Sequence, residues 1–384
     1  MRRIYLDYNA TTPLDQSVFE AMLAYLREYF GNPSSGHWLG VQAKAAVEQA
    51  REQVAALLGA DPSEIVFTSG GSESDNWAIR GIVEANGERG DHVITSQIEH
   101  PAVLNTCRYL EGQGFQVTYL PVDGYGQVDP DDVSRAITPR TILISVMHAN
   151  NEVGTIQPIE AIGAMARERG IYLHTDAAQS VGKIRTDVEQ FRVDLLTVAG
   201  HKLYAPKGVG ALYVRRGTRI TSLIHGAGHE GGRRAGTENV AGIAGLGQAC
   251  AIAAETMTET IERLRALRDR LHQGLATRVE GVRLNGHPRQ RLPNTLNLSF
   301  ERLDGNALLA SLPEIAASTG SACHAGTTEP SSVLMAMGVP PEIALGAIRF
   351  SLGKQNDQQE VDRAVELLVG KVAKLRSPAF QNRR

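Results

Sequence analysis

The residues best suited to chemistry begin with a lysine placed just behind a small, polar turn. In Thr197-Val198-Ala199-Gly200-His201-Lys202 an apolar run stops, small residues follow, and an amine comes next. Such an amine becomes a nucleophile when it is desolvated or set beside another cation, and it then suits an aldehyde. Upstream, His174-Thr175-Asp176-Ala177-Ala178-Gln179-Ser180 ends an apolar run in Asp176. A carboxylate buried there needs a cationic partner, and a protonated ring nitrogen would serve. Thr68-Ser69-Gly70-Gly71-Ser72 is a Gly-rich turn opening a helix, where backbone N–H groups, the helix dipole and the Ser72 hydroxyl suit an anion. His100 follows another apolar run and is placed to lie over a flat ring or to move protons. Each feature also has a plainer reading. Lys202 could be a surface lysine on a hairpin loop, Asp176 an N-cap, the Gly-rich turn mere punctuation, and His100 structural.

The elements that must position these groups read as alternating strands and helices. Strands are expected at Ile4–Asp7, Ile65–Thr68, His92–Thr95, Gln116–Leu120, Ile142–Met147, Ile171–His174, Leu195–Val198 and Ala211–Val214. Helical spacing covers Ser17 to Tyr29, with Ser17 as N-cap, then Gly40–Leu58, Ala102–Gln113 and Ile159–Arg169. Apolar strands separated by helices imply a mainly parallel sheet covered on both faces, with ligands at the carboxyl ends of its strands. Asp176 and Lys202 then reach the same edge of the sheet. An acid for a ring nitrogen, an amine for an aldehyde and a turn for a phosphate together meet the demands of pyridoxal phosphate.

Beyond residue 239 the pattern changes. Asn239 to Glu280 reads as one or two long helices, Thr295 to Phe300 alternates as a strand, Asp304 to Leu312 is helical, Ile348 to Leu352 is a strand, and Asp357 to Leu375 is a final helix. A second, α+β domain is expected there, and the N-terminal strand could join it.

Composition narrows the function classes. The 384 residues carry a net charge of −3, with charges spread along the chain, so neither a nucleic-acid stripe nor a membrane-binding face is expected. No run of 18 apolar residues and no secretory leader is read at Met1–Asp7. Three cysteines, Cys107, Cys250 and Cys323, are too few and odd in number for a disulfide framework, and a reducing, cytoplasmic setting is expected. Cys107 and Cys250 sit in apolar helical stretches. Cys323, in Ser318-Thr319-Gly320-Ser321-Ala322-Cys323-His324, has small polar neighbours and is the candidate nucleophile. His225 and His229 are separated by glycines, which argues against a metal site.

Several segments taken in order resemble the group I (NifS/IscS-like) cysteine desulfurases of the class V aminotransferase family. They are Tyr5–Pro13, Phe67–Asn76, His148–Gly154, Asp176–Lys183, Gly200–Lys202, Arg234–Thr237 and Ser318–Cys323. The resemblance implies a fold-type I pyridoxal-phosphate transferase: a seven-stranded, mainly parallel sheet in a large domain at residues 14–260, and a small domain from 1–13 and 261–384. It implies that Lys202 binds the aldehyde, Asp176 pairs with the ring nitrogen, Gln179 bonds the ring hydroxyl and His100 stacks on the ring. Gly71, Ser72 and His201 would hold the phosphate with Thr237 of the partner subunit, where Ala199 replaces the family's usual serine. Asn151 and Arg349 would orient the cofactor and bind the substrate carboxylate. Cys323 would take sulfur from L-cysteine as a persulfide, leaving alanine, in a homodimer that passes sulfur to an acceptor protein. The acceptor stays open between an iron–sulfur scaffold and a thiolation enzyme, because the scaffold-docking tail of the housekeeping members is longer than the segment ending at Arg384. Selenocysteine lyase or aminotransferase activity is the alternative with the same cofactor; a non-catalytic partner subunit is the alternative of another class.

Overall fold

The computed structural model describes residues 3–319 and 329–377. Twelve strands are assigned among them: β1 (Ile4–Tyr5), β2 (Ile65–Thr68), β3 (His92–Ser96), β4 (Gln116–Leu120), β5 (Thr141–Ser145), β6 (Tyr172–Asp176), β7 (Leu195–Ala199), β8 (Gly210–Val214), β9 (Val282–Asn285), β10 (Thr295–Phe300), β11 (Ile315–Ala316) and β12 (Ala347–Ser351). Seven form the main sheet in the order β2-β8-β7-β6-β5-β3-β4. β8 runs antiparallel to β2 and β7, while the remaining neighbours are parallel. Strands covered by helices on both faces bury every residue, as β2, β3, β5, β7 and β8 do, whereas the edge strand β4 leaves Gln116 exposed. The seven expected strands fall on this sheet with small shifts. β6 continues to Asp176, so that carboxylate belongs to the last residue of a strand, and the residues after it form turns.

One boundary is corrected. The first helix is Gln16–Arg27 and its N-cap is Asp15, whose carboxylate accepts from Ser17 N at 3.0 Å. Ser17 lies inside the helix, because the carboxylate two residues earlier satisfies the open N–H first. The next helix, Trp38–Leu58, closes on Gly59 in the left-handed region (φ 68°), as a C-terminal glycine permits.

A second core lies under the sheet β12-β10-β9. The alternation read in Thr295–Phe300 separates two buried faces rather than an inside and an outside. Leu296, Leu298 and Phe300 enter the apolar cluster, while Thr295, Asn297 and Ser299 are buried among hydrogen bonds to Asn9, Glu152 and Asn285. The N-terminal strand joins this core: β1 pairs with β11, and Ile4 and Leu6 pack in the same cluster. A single helix, Val240–Ala276, capped by Asn239, links the two cores. Its first half contributes Ile243, Leu246, Ala249 and Cys250 to the large core, and its second half contributes Leu264, Leu267, Leu271 and Leu275 to the small one. Part of it is long and apolar enough to cross a membrane by composition, which the sequence reading did not expect; 56% of that window is buried inside the protein. Gly247 lets this helix close on Trp38–Leu58, since a Cβ there would lie 2.5 Å from the Cα of Ala50.

Candidate active site

The carboxyl ends of β2, β3, β6 and β7 open into one cavity of about 650 Å³. Gly71, Ser72, His100, Asn151, Asp176, Gln179, Ala199, His201, Lys202 and Arg349 all line it, so these ten expected site residues share one space. Thr237 does not line it and is exposed on a separate loop, which the Arg234–Glu73 ion pair at 2.8 Å ties to the first turn of the helix Gly71–Ala85. Cys323 lies outside the described residues.

Lys202 ends a tight turn, Gly200–Lys202, whose first residue donates its N–H to Val209 O at 3.1 Å. Its ammonium donates to the backbone carbonyls of Asn9 and Ala10 at 2.6 and 2.7 Å. Asn9, which the sequence does not single out, is a junction. Its side chain donates to Asn151 O (3.2 Å) and Thr295 Oγ1 (2.9 Å), and its N–H donates to Ser351 Oγ (2.9 Å). Its carbonyl also accepts from Gln179 Nε2 at 2.9 Å. Arg349, on β12 and 2% exposed, donates to Asp7 at 2.8 Å and to Asn151 O at 3.0 Å. Its Nε is buried without a partner among the described residues. The N-terminal segment and the small sheet thus enclose the cavity from the side opposite β6 and β7.

Three carboxylates lie beneath the cavity, and their surroundings separate their roles. Burial pushes Glu99 up to about 8, although Ser96 Oγ (2.5 Å) and Met147 N–H (3.0 and 3.1 Å) donate to it. Burial, and then the charge of Asp176, hold the Asp75 carboxyl well above the usual range. Burial also raises Asp176, but His100 and Lys202 oppose that shift, and Ala178 N–H donates to Oδ1 at 2.9 Å. Positive neighbours act on Asp176 and not on the other two, so Asp176 is the member poised to ionise when a cation enters. Its other oxygen has no hydrogen bond among the described residues.

His100 caps the helix Pro101–Gly112, its Nδ1 accepting from Ala102 N at 3.2 Å. That bond leaves the proton of the neutral ring on Nε2, and burial keeps the ring neutral by lowering its pKa. Burial and then Lys202 push His201 down to about 4, and its Nδ1 contacts Thr11 Oγ1 at 3.2 Å. The Gly-rich turn leads into the helix Gly71–Ala85, whose N-cap, Gly70, sits at φ 149° with no side-chain cap. A Cβ at Gly71 would approach the Ala199 methyl to 3.2 Å, so glycine here keeps the turn close to β7 and its N–H groups bare.

The donor set fits pyridoxal phosphate: an amine, a buried carboxylate with an open oxygen, and an uncapped helix start line one cavity of adequate size. Asp7, Asn9, Ala10, Asp75, Glu99 and Lys183 were missed as site residues. Asp75 and Glu99 had a readable signal, since both are acids within a few residues of the strand ends of β2 and β3.

Two histidines below the site carry a stability prediction. His174 bonds Ser145 Oγ (2.9 Å) and Thr197 Oγ1 (3.1 Å), and burial pushes it down to about 3; burial pushes His148 down to about 4. Both fold as neutral rings but gain protons on unfolding below about pH 6.5. Their contribution is full above that pH and is lost as pH falls toward 4. Urea midpoints measured from pH 7 to 4.5 are expected to fall less steeply for His148→Gln than for the wild type, by up to about one proton of slope. Parallel curves would refute a neutral His148.

Comparison with known proteins follows the same lines. The aminotransferase class-V family profile matches residues 4–364. A protein named cysteine desulfurase IscS from Methanosarcina thermophila is 53% identical over 98% of this chain and 93% of its own. Among solved structures, a NifS-like protein is 41% identical with a TM-score of 0.91, covering 97% of this chain and 100% of that one. A structure described as SspA in complex with cysteine is 42% identical with a TM-score of 0.81, covering 91% and 98%. The chain therefore belongs to the class V aminotransferase family, among its NifS/IscS-like cysteine desulfurases.

Proposed function

We propose that this chain binds pyridoxal 5′-phosphate and removes the sulfur of L-cysteine, releasing L-alanine and leaving a persulfide on Cys323. The observation that carries the reading is that Lys202, Asp176 and the uncapped Gly70–Ser72 turn line one cavity in a chain about half identical to cysteine desulfurases. Lys202 would hold the cofactor aldehyde, Asp176 the ring nitrogen, and Gly71, Ser72 and His201 the phosphate. When bound, the cofactor supplies a sink for the electrons left at the substrate α-carbon.

The chain's own groups do the rest. The Lys202 amine, freed from the aldehyde, takes the α-proton and can return it. His100, a neutral imidazole with Nε2–H that lines the cavity, would hold the ring and could pass a proton. Arg349 would meet the substrate carboxylate beside Asn151, since both residues line the cavity. The Cys323 thiolate attacks the substrate sulfur: an S–S bond forms, the carbon–sulfur bond breaks, and the carbon left behind takes a proton to become alanine.

The domain division at 14–260, with 1–13 and 261–384 as the smaller unit, belongs to the same reading. Lys202, Asp176 and His100 would act from the large unit, and Arg349 and Cys323 from the small one. A homodimer is supported by exposed Phe30 (72%), Trp38 (68%) and Val41 (58%), which are costly to leave in water, and by Thr237 being exposed and outside the lining of its own cavity. An acceptor protein in a reducing, cytoplasmic compartment would take the persulfide sulfur.

Purified protein reconstituted with the cofactor, given L-cysteine and a thiol reductant, is expected to release alanine and sulfide in equal amounts. Cys323→Ala is expected to lower alanine release by about 100-fold or more. Wild-type alanine release from that variant would remove Cys323 from the mechanism, and dependence on a keto-acid acceptor would favour an aminotransferase.

A further inference from the structure

Lys183 is a buried lysine that the mechanism above does not use. It is 8% exposed, no acidic side chain pairs with it among the described residues, and it does not line the active-site cavity. Its Nζ donates to Gln179 Oε1 at 2.9 Å and to Asn9 Oδ1 at 3.4 Å. The orientations of both amides are fixed independently of Lys183. Asn9 Nδ2 donates to the carbonyl of Asn151 and Gln179 Nε2 to the carbonyl of Asn9, and neither carbonyl can be anything but an acceptor. Both amide oxygens therefore face Lys183. An amine meets two acceptors with two N–H bonds in either charge state, so the arrangement holds whether or not Lys183 is protonated.

Gln179 does line the cavity. With its oxygen taken by Lys183, its remaining N–H is what it can offer to a ligand. A group facing Gln179 must then accept a hydrogen bond, and an oxygen anion accepts better than a hydroxyl.

We propose that Lys183 is a positioning residue that locks Gln179 as a hydrogen-bond donor, so that the cofactor's ring oxygen is held as an anion. This rests on the cofactor assignment above. Burial, then the charges of Lys202 and Arg349, hold the Lys183 amine well below the usual lysine range. The other charged or titratable groups near it are His201, Asp7 through Arg349, and Tyr8, Tyr204 and Lys354, which line a small pocket with it. An anion across Gln179 is therefore the missing partner for an otherwise uncompensated site.

The test is a pH titration of the visible absorption of the cofactor-loaded protein, with the affinity of the empty protein for pyridoxal phosphate measured alongside. In Lys183→Met the midpoint of the absorption change is expected to rise by about one pH unit or more, and cofactor affinity to fall about tenfold. Gln179→Met should reproduce the shift, and adding Lys183→Met to it should change nothing further. This cycle keeps the test decisive if Lys183→Met alone folds poorly. An unmoved midpoint in Lys183→Met, or full additivity in the double variant, overturns the proposal. A wild-type protein that takes up no cofactor overturns instead the reading on which it rests.

Discussion

Lys202→Ala is expected to abolish turnover of L-cysteine, with alanine release falling about 1,000-fold or more, while the fold survives. In the proposed reaction the amine would do two jobs. Lys202 and Lys207 both line the cavity, but Lys207 is exposed at its rim, and Lys183, which does not line it, has its Nζ on Gln179 Oε1. In the proposed reaction Lys202 would also be the base that takes the substrate α-proton once it has left the aldehyde. The variant should lose the yellow colour of covalently held cofactor yet keep a native circular dichroism spectrum. One local cost is expected. The Lys202 ammonium ties the carbonyls of Asn9 and Ala10, so the N-terminal segment should exchange its amide hydrogens faster in the variant. A variant that kept a tenth of wild-type turnover would show that another group carries both roles.

Asp176→Asn should separate function from stability in opposite directions. Asn keeps the shape and can still accept from Ala178 N–H, but it cannot hold a ring nitrogen in its protonated state. Activity is expected to fall about 1,000-fold. The sign of the stability change is opposite. Burial raises the folded pKa of Asp176 above its usual value, so this group's contribution is full at low pH and is lost as pH rises through the folded pKa. Replacing the acid with a neutral amide removes that cost. The empty variant should therefore unfold at the same or a higher temperature than the empty wild type at pH 8. Cofactor added to saturation should stabilise the wild type more than the variant. If the empty variant is clearly less stable, Asp176 is a structural acid with a partner of its own.

The parts of this site that were legible lie on the main sheet. Val, Ile and Leu runs place β2, β3, β6 and β7, and the residue following or ending each run falls at the cavity mouth. That is why Gly71, His100, Asp176 and Lys202 could be picked out one by one. The residues that join them were hidden because their partners are distant in the chain. Asn9 meets Gln179, Lys183 and Lys202 across more than 160 residues, and meets Thr295 and Ser351 across still more. Those contacts exist only because β1 leaves the large sheet and pairs with β11, a choice that a two-residue strand cannot declare by itself. Lys183 has no periodic signal, since it follows β6 in a stretch of turns, and only the burial of its amine marks it. The misplaced helix cap has a local cause: Asp15 and Ser17 are both good capping residues two apart, and which one caps depends on where the chain turns.

Position decides more here than residue type. Asp75, Glu99 and Asp176 are three acids at one site, and it is the nearness of His100 and Lys202 that singles out Asp176. The same holds for the amines: Lys202 lines the active-site cavity, whereas Lys183 does not and donates to Gln179 and Asn9.

The most direct measurement is chemical mapping of the cofactor attachment. Protein loaded with pyridoxal 5′-phosphate is reduced with borohydride, digested, and its peptides weighed. The account predicts one stoichiometric label, on the peptide containing Lys202, and its loss when L-cysteine is added before reduction. A label on Lys183 or Lys207, or an unlabelled Lys202 in protein that has turned over L-cysteine, would contradict it.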